Sequence, residues 1–327
     1  MAKGKSTGKQ APKKTNWSKI AVSLFLAITM IIVIFAYAYK GAPPSVSTPD
    51  RTLTLVKSFD KISDGLKLVP ENGSYVRYAN LTGDATLNAW MNQNFHNSMP
   101  NSSAFEAPIQ RDMLSVYPRD NFGNFSATYN RNFSQQYVSL TDFGRGEINV
   151  TYPVVNQQID GQTLLYVNDL YYFTPLTDPV VNGMAEVVVP TLDTMTGATN
   201  NTSYVQYKGL MDQLAPNGMS EDGMTLQVVG NQPVENFSDM YYAGIGPNND
   251  ANKSYTFQAV MRLNRTLTNS DMGYFSVLPD AMKQQGYTSY NISYGNAEPG
   301  DYVVVKGVAS FDQCVNDMFY TWGFMRY

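Results

Sequence analysis

The sequence predicts a strand-rich α+β fold behind a single membrane-spanning helix, and three observations predict it. Twenty uncharged, mostly apolar residues, Ile20–Tyr39, follow a tail whose only charges are lysines. Beyond them, short runs of Val, Thr, Tyr and Phe alternate with clusters of Gly, Pro, Asn and Asp, the pattern of strands broken by turns. Stretches with helical spacing of apolar residues are fewer.

Residues 1–19 carry Lys3, Lys5, Lys9, Lys13, Lys14 and Lys19, and the first acidic residue is Asp50. As a helix, Ile20–Tyr39 is about 30 Å long, enough to cross a bilayer. The lysines place the N-terminus in the cytoplasm and the rest outside. A cleaved secretory signal is the alternative, with Ala36-Tyr37-Ala38 as its small-residue site, although such signals have shorter apolar cores. Residues 40–51, with Pro43, Pro44 and Pro49, read as an extended linker.

The exterior part begins at Thr52. Expected strands are Thr52–Val56, Ser74–Tyr78, Glu147–Tyr152, Thr163–Val167, Glu186–Val189, Thr225–Val229, Tyr255–Arg262 and Tyr302–Lys306. Expected helices are Asp84–Phe95, with Leu87, Trp90, Met91 and Phe95 on one side, then Ser276–Gln285 and Phe311–Phe319. A faint repeat suggests two similar α/β halves, 52–180 and 181–327. Ser74-Tyr75-Val76-Arg77-Tyr78 is echoed by Ser203-Tyr204-Val205-Gln206-Tyr207, each after a Val-Pro step (Val69-Pro70 and Val189-Pro190). Asp112-Met113 and Asp239-Met240 follow in the same order.

Charge divides the chain. Seven of its 23 basic residues and none of its 27 acidic ones precede Gly41, so the exterior part holds 16 basic and 27 acidic residues, a net of −11. Such a domain does not bind nucleic acid through general electrostatics. The single cysteine, Cys314, permits no disulfide within the chain and sits among apolar residues, as a small buried hydrophobe would.

Twelve Asn-x-Ser/Thr sequons follow the apolar run: Asn72, Asn80, Asn101, Asn124, Asn132, Asn149, Asn200, Asn201, Asn236, Asn252, Asn264 and Asn291. Chance placement predicts about four or five, so N-glycosylation of an exterior domain is expected. Many sequons with almost no cysteine suggest an archaeal cell surface.

Catalytic signatures are sparse. His96 is the only histidine, which excludes multi-histidine metal sites, and no nucleotide-binding glycine motif or nucleophile elbow occurs. No cofactor is implied. A hydrolase working through two carboxylates is the alternative, with Glu106, Glu147, Glu186, Glu221, Glu235 and Glu298 as unranked candidates. Asn248–Ser254 resembles the start of a calcium loop, but Lys253 replaces the glycine and Ala259 the terminal Glu, so an Asn/Asp-rich turn is expected. Tyr171-Tyr172-Phe173, Tyr241-Tyr242 and Phe319-Tyr320-Thr321-Trp322 are either sheet packing or a face for glycans or surface proteins. The sequence reading is therefore a membrane-anchored, glycosylated surface domain with a structural, adhesion or ligand-binding role. A membrane sensor or accessory subunit ranks third, because Ile20–Tyr39 lacks Gly-x-x-x-Gly.

Overall fold

Apolar residues on both faces of the central strands require cover on both sides, and the computed structural model supplies it with helices. The structure describes residues 46–47, 53–71, 73–94, 105–106, 112–118, 138–142, 149–150, 155–159, 161–168, 171–231, 237–250, 253–297, 300–322 and 324. Ile20–Tyr39, His96 and residues 40–45 lie outside them. No helix among the described residues is long and apolar enough to cross a membrane. Val46–Tyr327 clusters as one compact unit.

The fold is strand-rich α+β. In chain order the elements are β1 (Val46–Ser47), β2 (Leu55–Val56), α1 (Ile62–Leu66), β3 (Gly73–Asn80), α2 (Ala85–Asn94), β4 (Phe105–Glu106), β5 (Asp112–Pro118), β6 (Val138–Thr141), β7 (Asn149–Val150), β8 (Val155–Ile159) and β9 (Gln162–Asn168). They continue with β10 (Tyr171–Phe173), β11 (Thr177–Asp178), β12 (Val180–Met184), α3 (Ala185–Thr196), α4 (Ser203–Met211), β13 (Leu226–Gly230), β14 (Ser238–Pro247) and β15 (Tyr255–Leu263). The last are α5 (Asn269–Gln284), β16 (Ser289–Ala297), β17 (Gly300–Ala309) and α6 (Phe311–Asn316), which runs on into a π-helical turn, Asp317–Thr321.

Twelve strands form one sheet in the order β16-β17-β15-β14-β13-β3-β5-β6-β12-β10-β9-β8. Every neighbouring pair in it is antiparallel. On one face Tyr75, Leu226, Ala243, Phe257 and Val305 pack under α2, α5 and α6. On the other, Val76, Val229, Tyr242, Val260 and Val304 pack under α1, α3 and α4. Strict alternation along each strand assigns these residues to their faces. Burying each valine, leucine or phenylalanine among them contributes about 1.5–3 kcal/mol.

The β3–β13 pair, where Arg77 faces Val228, joins a run of five strands ending at β13 to a run of seven beginning at β3. Stepping outwards, the ladder passes Ser115, Ser139, Asn182 and Phe173 on one side. On the other it passes Ala243, Ala259, Val305 and Ile292. From β13 outwards, β14 and β15 are followed by the returning pair β17-β16, whereas from β3 outwards β5 and β6 are followed by four returning strands, β12, β10, β9 and β8. Helices α1 and α4 precede the two sets on the same face, while α3 and α6, which close them, lie on opposite faces.

Several expectations need correction. The echo at Ser203–Tyr207 is not a strand matching Ser74–Tyr78 but the first turns of α4. Its buried residues, Ser203, Tyr207, Leu210 and Met211, follow helical spacing. The two segments instead touch: the Tyr207 hydroxyl donates to the carbonyls of Gly73 and Ser74 at 3.0 and 3.1 Å. Within the sheet Ser74 lies opposite Asn231, whose amide donates to the Ser74 carbonyl at 3.0 Å. The expected strand Glu186–Val189 is also helical, within α3. There, packing of Val187, Val188, Leu192 and Met195 against the sheet overrides the strand preference of a valine run.

Candidate functional site

Two clefts flank α6. The larger, about 570 Å³, is lined by Met282, Gln285, Tyr287, Gln313, Asn316, Asp317, Tyr320 and Thr321. Its frame follows from local sequence. Ser310 and Gln313 form a reciprocal cap that starts α6. The Gln313 amide also donates to the Gln285 carbonyl, tying α6 to the end of α5. After Asn316 the helix widens, so that the Trp322 amide donates to the Asp317 carbonyl at 3.0 Å. Turns of this kind recur at functional sites.

Asp317 forms the floor, 1% exposed. Its Oδ2 accepts from the Tyr290 hydroxyl at 2.7 Å, and the Tyr290 hydroxyl oxygen in turn accepts from the Trp322 indole at 3.1 Å. Oδ1 is enclosed with no partner in hydrogen-bond geometry. Burial pushes the Asp317 carboxyl up to about 6, against the pull of nearby donors on Thr321, Tyr290, Tyr287 and Trp322. Burial likewise raises the phenols of Tyr287 and Tyr290 and pushes the Cys314 thiol up to about 12. The floor is therefore a set of neutral hydrogen-bonding groups below pH 6, with one carboxylate above it.

The smaller cleft, about 430 Å³, lies between the β14–β15 turn and the start of α6, and Asn248, Lys253, Ser254, Tyr255 and Asp312 line it. Behind it, Asp84 caps α2 by accepting from the Thr86 and Leu87 amides, and it also accepts from the Tyr255 and Thr225 hydroxyls. The described ends of the calcium-like segment are joined, the Asn248 amide donating to the Ser254 carbonyl at 2.8 Å. Asp250 spends both carboxylate oxygens on the amide and hydroxyl of Ser254, and Asn248 bonds Ser254 and Thr256. No group of three or more His, Cys, Asp or Glu gathers for a metal among the described residues.

Of the six glutamates considered, only Glu221 has a described side chain; it is half-buried and accepts from the Ser63 amide at 2.9 Å. Burial raises its pKa. The described lining of each cleft contains one carboxylate, Asp312 or Asp317. Among the sequons, Asn200, Asn201, Asn264 and Asn291 are exposed, while Asn80 is half-buried and its amide oxygen accepts from the Gly83 amide at 2.6 Å. Asn149 lies in β7, and Asn72, Asn101, Asn124, Asn132, Asn236 and Asn252 lie outside the described residues. Cys314 is fully buried. Of the aromatic clusters, Phe173, Tyr241, Tyr242 and Trp322 are core, and Tyr320 is 78% exposed.

Sequence reasoning missed Asp317, Tyr290 and Gln285. A signal for the first was present: Asp317 falls on the apolar side of its helix, three residues after Cys314 and one before Met318. No protein-family model matches the chain, and no curated protein or solved structure matches it either.

Proposed function

We propose that the chain is a single-pass, N-glycosylated surface protein, anchored in the cell membrane through Ile20–Tyr39, whose exterior domain binds a ligand. The lysine-flanked apolar run carries this reading, since twenty uncharged residues behind six lysines match both the length and the charge bias of a membrane anchor. Exposure at Asn200, Asn201, Asn264 and Asn291 supports it, because the glycan acceptor must be reachable. The cleft beside Asp317 favours ligand binding over a purely structural role.

Glycopeptide mass spectrometry of the chain from its own cells tests the reading. Glycan at Asn264, Asn291 and one or both of Asn200 and Asn201, with Asn80 bare, is the expected result. Bare asparagine at all five positions contradicts it.

A further inference from the structure

The lining of the larger cleft has a definite chemical character. The described lining contains no lysine, arginine or histidine, so a phosphate, sulfate or carboxylate ligand finds no counter-charge among those residues. Its one ionisable acid is buried beneath the surface and bonded to Tyr290. What the rim offers is neutral and planar. The Gln285 and Asn316 side chains are exposed and engage no hydrogen bond among the described residues, so each presents an unspent amide donor and acceptor. Thr321 adds a half-buried hydroxyl.

Beside these groups stands Tyr320, whose ring is 78% exposed. It adjoins a row of packed rings. Its centroid lies 6.3 Å from Phe319, which meets Trp90 at 5.9 Å, and Trp90 meets Phe311 edge-on at 6.0 Å. An exposed aromatic face thus stands next to free amides. Apolar anchors are scarce: Met282 and Tyr287 are buried in the floor. A peptide side chain would therefore find no deep hydrophobic socket.

We propose that this cleft binds a neutral saccharide, with Tyr320 stacking on the apolar face of the sugar ring and Gln285, Asn316 and Thr321 bonding its hydroxyls. The proposal rests on the ligand-binding reading above and names the ligand's class. Volume agrees, since about 570 Å³ is within the range of small-ligand sites and accommodates one or two sugar rings.

The test uses the full chain in lipid nanodiscs, which avoids glycoside detergents. Saturation-transfer NMR against maltose, mannobiose, lactose and N,N′-diacetylchitobiose reads binding, with glucuronate and a tetra-alanine peptide as contrasts. At least one neutral disaccharide is expected to bind. Tyr320→Ala and Asn316→Ala should each weaken it about tenfold, about 1.4 kcal/mol. Tyr320→Phe should retain it, which separates a stacking face from a loss of fold. Far-UV circular dichroism and intrinsic tryptophan fluorescence check folding in every variant. Binding of none of the four sugars, preference for glucuronate or the peptide, or affinity unmoved by both alanine variants would overturn the proposal. Membrane placement does not enter the measurement, so a chain that fails here yet is exposed on cells loses only the saccharide cleft.

Discussion

Replacing Asp317 with Asn should remove a specific pH dependence of stability. In the folded chain the carboxyl titrates at about 6, because burial disfavours its charged form. In the unfolded chain it returns to about 3.9. The native state therefore holds a proton that the unfolded state releases between those two values. This contribution is complete below about pH 4 and is lost as pH rises through about 6. A gap of about two units corresponds to about 3 kcal/mol. Carboxylates with depressed pKa values, such as Asp222 and Asp271, run in the opposite sense, so the difference between wild type and Asp317→Asn is the informative quantity. No other charged side chain faces the carboxyl among the described residues of the cleft; its neighbours Tyr287, Tyr290 and Cys314 all have raised pKa values and stay neutral through this range. Urea unfolding followed by intrinsic tryptophan fluorescence at half-unit steps from pH 4 to 8 measures it. The two proteins should have similar stability near pH 4, and the variant should be the more stable by about 3 kcal/mol above pH 7. A difference that is flat with pH, or that grows toward acid, would refute the burial argument.

Other consequences are also open to measurement. Cys314 should resist maleimide in the native chain and react only on unfolding, because its thiol is enclosed and its pKa pushed up to about 12. Thr268→Ala should cost about 1 kcal/mol in denaturant unfolding, since Thr268 caps α5 and helps hold the Asp271 carboxyl below its usual range. Stability owed to Asp271 is present above about pH 4 and is lost as pH falls further, so the variant should be less acid-sensitive than the wild type. Gly286→Ala should destabilise by about 1–3 kcal/mol, because φ there is +102° and a methyl group would strike the Gln313 amide that ties α6 to α5. An unfolding midpoint equal to the wild type's would show that the tie is dispensable.

Strands apolar on both faces were the most readable. Ser74–Tyr78, Thr225–Val229, Tyr255–Arg262 and Tyr302–Lys306 each fall on or within one residue of an observed strand, because local composition and burial agree there. The helix after Asp84 was readable for a similar reason, its cap and its apolar spacing pointing the same way. Glu186–Val189 and Ser203–Tyr207 were not, since tertiary packing chose helix where valine and tyrosine favour strand. The partnership of β3 with β13, about 150 residues apart in sequence, has no local trace at all. Neither has the convergence of Gln285, Tyr290 and Asp317, which comes from three separate elements.

Surface placement is tested most directly by adding a broad-specificity protease to intact cells and identifying what stays with the membrane. A short fragment bearing the lysine tail and Ile20–Tyr39, with residues beyond about 45 removed, is the predicted result. A chain that remains full-length until the cells are lysed would contradict it. An untreated exterior domain recovered from the medium with Tyr39 at its N-terminus would contradict the anchor and point to cleavage after Ala38.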